Sequence, residues 1–433
     1  MDGKKLRVYM RMFPLYGVKG EGGVPMIYEV MRNYWGSPIG ARTYGEDFKA
    51  WYESIGWCKM PSSAGMYILR REDRIALSCV ITDDILIAGA ESDVEYTRKL
   101  LEHKYQTRGG YDPDCYAGWQ IREDTRTGAI TLSCPTKIEE MGRMLQQREE
   151  CVPKAPSPVK SSAELEAVML GEAAPSLSKE ETEEQRWCRS LIGLAMYIVE
   201  VRPDVLCVVH RLSRVMARPP ARPTRALLQS LCSFLVGTKD DGITFGGVHA
   251  ETNDVLTGDV YAGDAFDMRK AAAKQLTGGT DATWAACTGG SLASKCFMLN
   301  HGPLLAATNC IPATPLSSNE AEKWAQAAGQ ATNIHIRNLM TEAGAPQNMP
   351  TRMRVDNDAC DKQSKNSMSG KGSKHYQRRV SFTQDNEGDS VVTTHVPTGE
   401  MVADFLGKWV PLEKYNRSRA HLMNLAAQVT TKN

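Results

Sequence analysis

Two sets of carboxylates in this 433-residue chain have settings that could hold cations. The first lies in Cys79-Val-Ile-Thr-Asp-Asp-Ile-Leu-Ile-Ala-Gly89, where Asp83 and Asp84 interrupt an apolar, β-branched run. Strand propensity on both sides predicts a hairpin with the two acids at its tip. Adjacent acids in an apolar setting need compensating cations, usually metal, whereas an ordinary turn leaves them solvated; both readings stay open here. The second set is four acids in four segments of the C-terminal third. Gly279-Thr-Asp-Ala-Thr-Trp-Ala285 carries Asp281 after an expected strand, and Ser317-Ser-Asn-Glu-Ala-Glu322 opens a helix expected to reach Met340. Arg354-Val-Asp-Asn357 ends a strand at Asp356, and Met401-Val-Ala-Asp-Phe-Leu-Gly-Lys408 starts a helix carrying Asp404. Each acid alone fits a solvated turn or a helix cap. Together they have the composition for two-metal chemistry, in which carboxylates hold two magnesium ions around a phosphate and no protein nucleophile is needed.

The elements that must position these acids follow from periodicity. Tyr44, Phe48, Trp51, Tyr52 and Ile55 fall at helical spacing, with Gly56 as a stop. Strands are expected over 66–70 and 75–81, a helix over 94–105, and a strand pair over 116–123 and 129–133. Residues 151–185 combine Pro153, Pro156 and Pro158 with serines and the acidic run Lys179-Glu-Glu-Thr-Glu-Glu184, the composition of a linker. Helices are then expected to either side of Arg202-Pro-Asp204 and over 223–237.

Composition bounds the rest. With 42% apolar residues the chain has the makeup of a globular protein, and 52 basic against 51 acidic residues give no global field for nucleic acid. The 12 cysteines include no C-x-x-C pair, so free thiols in a reducing, intracellular compartment, cytoplasmic or nuclear, are expected. No apolar run of about 18 residues occurs, so no membrane span is expected.

Four segments resemble, in order, copia-type retrotransposon reverse transcriptases: Leu15-Tyr-Gly-Val-Lys19, Trp51-Tyr-Glu-Ser-Ile-Gly-Trp57, Thr82-Asp-Asp-Ile-Leu-Ile-Ala-Gly89 and Gly118-Trp-Gln-Ile-Arg-Glu123. Arg189-Ser-Leu-Ile-Gly193, Arg202-Pro-Asp204, Leu212-Ser-Arg214 and Gly237-Thr-Lys239 match the family's helical connection. The four later acids, with Ser373-Lys-His375, Arg378 and Arg379, resemble its ribonuclease H domain. The resemblance implies Asp281, Glu322, Asp356 and Asp404 as ligands of two Mg2+ ions, Asp83 and Asp84 as palm acids, and an RNA–DNA hybrid as partner. It further implies an α+β or α/β chain: a partial reverse-transcriptase palm and thumb over 1–150, the linker, a helical connection over 186–247, a ribonuclease H-like mixed sheet with flanking helices over 248–425, and a tail over 426–433.

Departures from the family shape the expectation. A third palm acid and the fingers find no counterpart, Ile81-Thr82 replaces the usual pair before the acids, and 20–39 is an insertion. Polymerase activity is therefore not expected without a dimer partner or upstream polyprotein segments. In the nuclease part, Gly279 replaces an aromatic and Lys323-Trp324 stands where the family has Tyr. Val260-Tyr-Ala-Gly-Asp264 offers a rival first acid, but Asp281 is preferred because Trp284-Ala285 follows it and its distance to Glu322 is near the family's. That leaves 248–275 without a counterpart. The expected function is ribonuclease H-type cleavage; the alternative is a catalytically dead relic or a domesticated nucleic-acid-binding or scaffold protein.

Overall fold

A computed structural model describes residues 9–11, 27–29, 38–71, 74–105, 107, 110, 113–148, 155–170, 179–217, 222–247, 275–285, 290–366 and 375–427. The chain is mixed α and β, and it divides into two compact units, Met1–Thr107 and Arg108–Asn433.

The first unit contains a short antiparallel pair, β1 (Tyr9–Arg11) and β2 (Ile27–Glu29), then helix α1 (Pro38–Ser54). A four-stranded antiparallel sheet follows: β3 (Trp57–Lys59), β4 (Met66–Arg71), β5 (Arg74–Ile81) and β6 (Asp84–Ala88), in sequence order, before helix α2 (Glu91–Lys104). Of the stripe expected from spacing, Phe48 and Tyr52 lie in its core, Trp51 and Ile55 pack against it, and Tyr44 is exposed. Phe48, Tyr52 and Trp57 are buried, and the Tyr52 and Trp57 rings stack with centroids 5.0 Å apart. Burying three aromatics in so small a layer supplies most of its apolar contact. Gly56 ends the helix at φ 99°, a left-handed stop that favours glycine.

The second unit begins with β7 (Cys115–Tyr116), β8 (Trp119–Asp124) and β9 (Ala129–Ser133). Helices α3 (Pro135–Gln146), α4 (Ser162–Leu170), α5 (Lys179–Ile198), α6 (Leu206–Val215) and α7 (Arg222–Gly237) come next, then β10 (Ile243–Phe245), which pairs antiparallel with β9. Two features differ from the sequence reading. The division between units falls at Thr107, not at 151–185, because β9 pairs with β10 and Ile138, Met141 and Leu145 of α3 share a core with Leu191, Leu212 and Leu231. The stretch read as a linker also contains α4, whose Leu165, Val168 and Met169 are buried in that core. Three apolar side chains on one helical face outweigh the surrounding prolines and serines.

Near this core sits a closed ion-pair network. Arg202 and Asp204 are both fully buried, with Arg202 Nε and Nη2 donating to the two Asp204 carboxylate oxygens at 2.9 and 2.8 Å. Arg419 Nε donates to Asp204 Oδ2 at 2.7 Å and its other end meets Asp241. The remaining Arg202 donor capacity goes to the Thr238 carbonyl at 2.9 Å and hydroxyl at 2.8 Å.

The C-terminal half of this unit is a five-stranded mixed sheet. Its strands are β11 (Thr277–Thr283), β12 (Leu292–Leu299), β13 (Gly302–Cys310), β14 (Thr351–Val355) and β15 (Val391–His395), in the spatial order β13-β12-β11-β14-β15. The first three pair antiparallel, while β14 runs parallel to both β11 and β15. Helix α8 (Ser318–Glu342) crosses from β13 to β14 and packs on β11. Between β14 and β15 lie α9 (Asp358–Lys365) and α10 (Gln377–Asp385), and the chain closes with α11 (Asp404–Gly407) and α12 (Leu412–Leu422). Parallel neighbours need such helical crossovers, which is why the helices concentrate after β13.

Candidate metal centre

Strand register brings the acids together. Gly279 of β11 lies opposite Arg354 of the parallel strand β14, so two residues further along, Asp281 inside β11 comes level with Asp356, the residue that follows β14. Glu322 arrives from the first turns of α8. Ser317 starts this helix, its hydroxyl accepting from Glu320 N at 3.2 Å, and the Glu320 carboxylate accepts from Leu316 N at 2.7 Å, a variant of the capping box. Gly329 then lets the helix lie against the sheet: a Cβ there would overlap Thr280 and Met353 side chains. Finally, Glu322 Oε2 accepts from Ala282 N at 3.1 Å, which pins the carboxylate beside Asp281.

Carboxylate oxygens of Asp281, Glu322 and Asp356 all lie within 4.8 Å of one another, the one such metal-holding group among the described residues. Asp281 is fully buried; Glu322 and Asp356 are half-buried. Burial, with the negative charges of Asp404 and Glu322, pushes the Asp281 carboxyl well above its usual range. Burial and the Asp356 charge push Glu322 up to about 8. The site holds more negative charge than its surroundings balance, and a shared divalent cation is the species that three converging oxygens would accept.

Asp404 stands outside that group. It is buried at the start of α11, and Gly407 allows the close approach of this turn to the sheet, where a Cβ would overlap Ser294. Its carboxylate is taken by lysines: Lys408 Nζ lies 2.7 Å from Oδ1, and Lys414 Nζ meets Oδ2. Lys408 also lies 3.3 Å from Asp281 Oδ2, so one ammonium group bridges the first and fourth acids. Burial alone would lower the Lys408 pKa; Asp281 and Asp404 more than offset that and raise it.

Other residues named from the sequence fall as follows. Asp83, in the two-residue turn Thr82-Asp83, and Asp84, the first residue of β6, are exposed, Thr82 has φ 53°, and among the described residues no third acid joins them in a metal-holding group. The rival Asp264 lies outside the described residues, as do Leu15–Lys19, most of 248–275, Ser373 and Lys374. His375 Nε2 lies 3.0 Å from Glu320 Oε2, and the Arg379 guanidinium covers the Trp324 ring.

Sequence reasoning missed what the lysines do. Lys408 was visible only as the end of a motif. Lys323, visible only as a departure, is fully buried and donates to Gln326 Oε1 at 2.6 Å, Cys360 O at 3.0 Å and Ser364 Oγ at 3.1 Å. It thereby ties the helix carrying Glu322 to α9, the helix that follows Asp356.

Comparison with known proteins finds similarity to transposon polyproteins. The retrovirus-related Pol polyprotein from transposon RE1 of Arabidopsis thaliana is 23% identical over 394 residues, covering 88% of this chain and 24% of the relative. The corresponding polyprotein from transposon RE2 is 23% identical over 373 residues, covering 83% and 23%. The chain is similar to transposon Pol polyproteins. It spans about a quarter of the length of these relatives. No family model and no solved structure matches it. Two expectations of the composition also meet the structure. Among the described residues no helix is long and apolar enough to cross a membrane, and none of the described cysteines is bridged.

Proposed function

We propose that the chain is a copia-type retrotransposon polyprotein fragment whose second unit is a ribonuclease H-type endonuclease, cutting the RNA strand of an RNA–DNA hybrid with magnesium. The observation that carries this reading is the convergence of Asp281 from within one strand, Asp356 from the end of its parallel neighbour and Glu322 from the start of a helix. The sheet order, three antiparallel strands followed by two parallel ones, supports it, as does the similarity to transposon Pol polyproteins.

Bound divalent metal supplies Lewis-acid polarisation of the scissile phosphate and a water made acidic enough to attack. The chain supplies the rest. Asp281 presents its oxygens from within a paired strand and Asp356 from the end of the next, and Glu322 is oriented by the Ala282 amide, so little reorganisation is needed on loading. Because burial and neighbouring acids raise the Asp281 and Glu322 carboxyls, loading the site would draw protons off them. The first unit is proposed as an inactive polymerase remnant, since Asp83 and Asp84 are solvated at a turn.

The test is a cleavage assay on a labelled hybrid with the full chain. Cleavage in magnesium that disappears in Asp281→Asn is expected. No cleavage in magnesium or manganese would replace this reading with the relic or domesticated protein, a role favoured by the lysines already seated on Asp404.

A further inference from the structure

We propose that Lys408 is a resident counter-ion occupying the position between Asp281 and Asp404, so that without nucleic acid the centre takes one divalent cation, on Asp281, Glu322 and Asp356. This rests on the metal-centre reading of the same acids, but it concerns how many ions the chain can hold and which residue sets that number.

The geometry divides the four acids unequally. Three offer oxygens within 4.8 Å of one another, the spacing for a shared ion. The fourth, Asp404, has one oxygen 2.7 Å from Lys408 and the other on Lys414. Lys408 reaches back to both Asp281 oxygens, at 3.3 and 3.4 Å. An ion bridging Asp281 and Asp404 would have to displace this ammonium group, since both would need the same oxygens. Formal charge gives the same division once loading has drawn the protons off: four ionised carboxylates against two lysines leave minus two, which one divalent cation balances. A second ion would leave an excess positive charge until an anionic phosphate entered, and an uncompensated charge is costly at a buried site. Asp281 is fully buried and its Oδ2 accepts no well-formed hydrogen bond, Lys408 Nζ standing 3.3 Å away.

Manganese alone, titrated into the full chain and counted by electron paramagnetic resonance and calorimetry, tests this. Ions that survive in Asp356→Asn are counted as surface binding and subtracted. One ion is expected in the unmutated chain and in Lys408→Arg, which keeps the charge. Two are expected in Lys408→Met, the second binding at least about tenfold more tightly than any second ion of the parent, because a unit charge within a few ångström is gone. Should Lys408→Met be unfolded in chelator, refolding on manganese with two ions bound is the same supporting result, and failure to refold counts against the proposal. Two ions in the parent, or one in Lys408→Met, overturns it. A chain that binds one ion yet cleaves no hybrid loses the proposed activity and keeps this inference; a chain that binds none loses both.

Discussion

Asp204 and Asp281 are both buried carboxylates in the same unit, and they are treated in opposite ways. Burial alone would push Asp204 up, but the Arg202 and Arg419 guanidinium groups more than offset it and hold its carboxyl below the usual range. Asp281 has one bridging lysine, shared with Asp404, against three neighbouring acids, and it is pushed up. Arginine presents its donors as a planar fork that fits a carboxylate and cannot give up its proton, so Asp204 is saturated and permanently neutralised. Asp281 is left short of positive charge. The difference separates an ion pair that belongs to the fold from the cluster we propose receives an ion from outside.

That contrast can be broken by substitution. The largest effect is expected at the saturated pair: Asp204→Asn strands the buried Arg202 guanidinium, leaves Arg419 with Asp241 alone, and should cost about 3–5 kcal/mol of stability, read by chemical denaturation. Asp281→Asn should do the reverse in chelator at alkaline pH, where it removes an under-compensated charge and leaves the melting temperature unchanged or higher. With metal, the same variant should lose hybrid cleavage by at least about a hundredfold, since metal stabilisation of the reaction amounts to several kcal/mol. A loss of stability at Asp281 comparable to that at Asp204 would erase the distinction.

Acidity sharpens it. Glu322 and Asp281 bind protons in the folded chain at pH values where the unfolded chain has released them, so between the ordinary carboxylate range and about pH 8 the unfolded state binds fewer protons. Stability of the metal-free protein should therefore fall as pH rises through that window. Manganese should raise the melting temperature more at about pH 8.5 than at about pH 6, because ligation requires the deprotonated acids. Asp204 behaves oppositely: its contribution is present above the ordinary carboxylate range and is lost only as acid protonates it. The smallest effect belongs to the first unit. Asp83→Asn and Asp84→Asn sit on an exposed turn and should change stability by no more than about 0.5 kcal/mol, leaving hybrid cleavage unaltered.

Local pattern made part of this readable from sequence. Phe48 and Tyr52 at helical spacing locate a core helix, and the β-branched runs around Asp83 and Asp84 locate a hairpin, because periodicity is written in neighbouring residues. What it leaves open is how exposed the hairpin tip is, which depends on what covers it. At the second site the four acids were visible through motif order. Their division into three and one was not, because Lys408 meets Asp281 across 127 positions of sequence. Helix α4 was hidden by composition: Pro156, Pro158 and the serines dominate the stretch, while only three residues of one face reach the core. The unit boundary was hidden likewise, since pairing of Ile130 with Phe245 is a long-range event that no local signal announces.

The shared core of the second unit has a practical consequence for dissecting the chain. Met401, Phe405, Leu406, Tyr415 and Leu422, which follow the sheet, are buried in the same cluster as Ile192, Val208, Leu228 and Leu235, which precede it. An excised piece beginning at residue 248 would carry the acids intact but present that apolar face to water, inviting self-association. The smallest soluble piece carrying the four acids should therefore start near Arg108, where the chain itself divides.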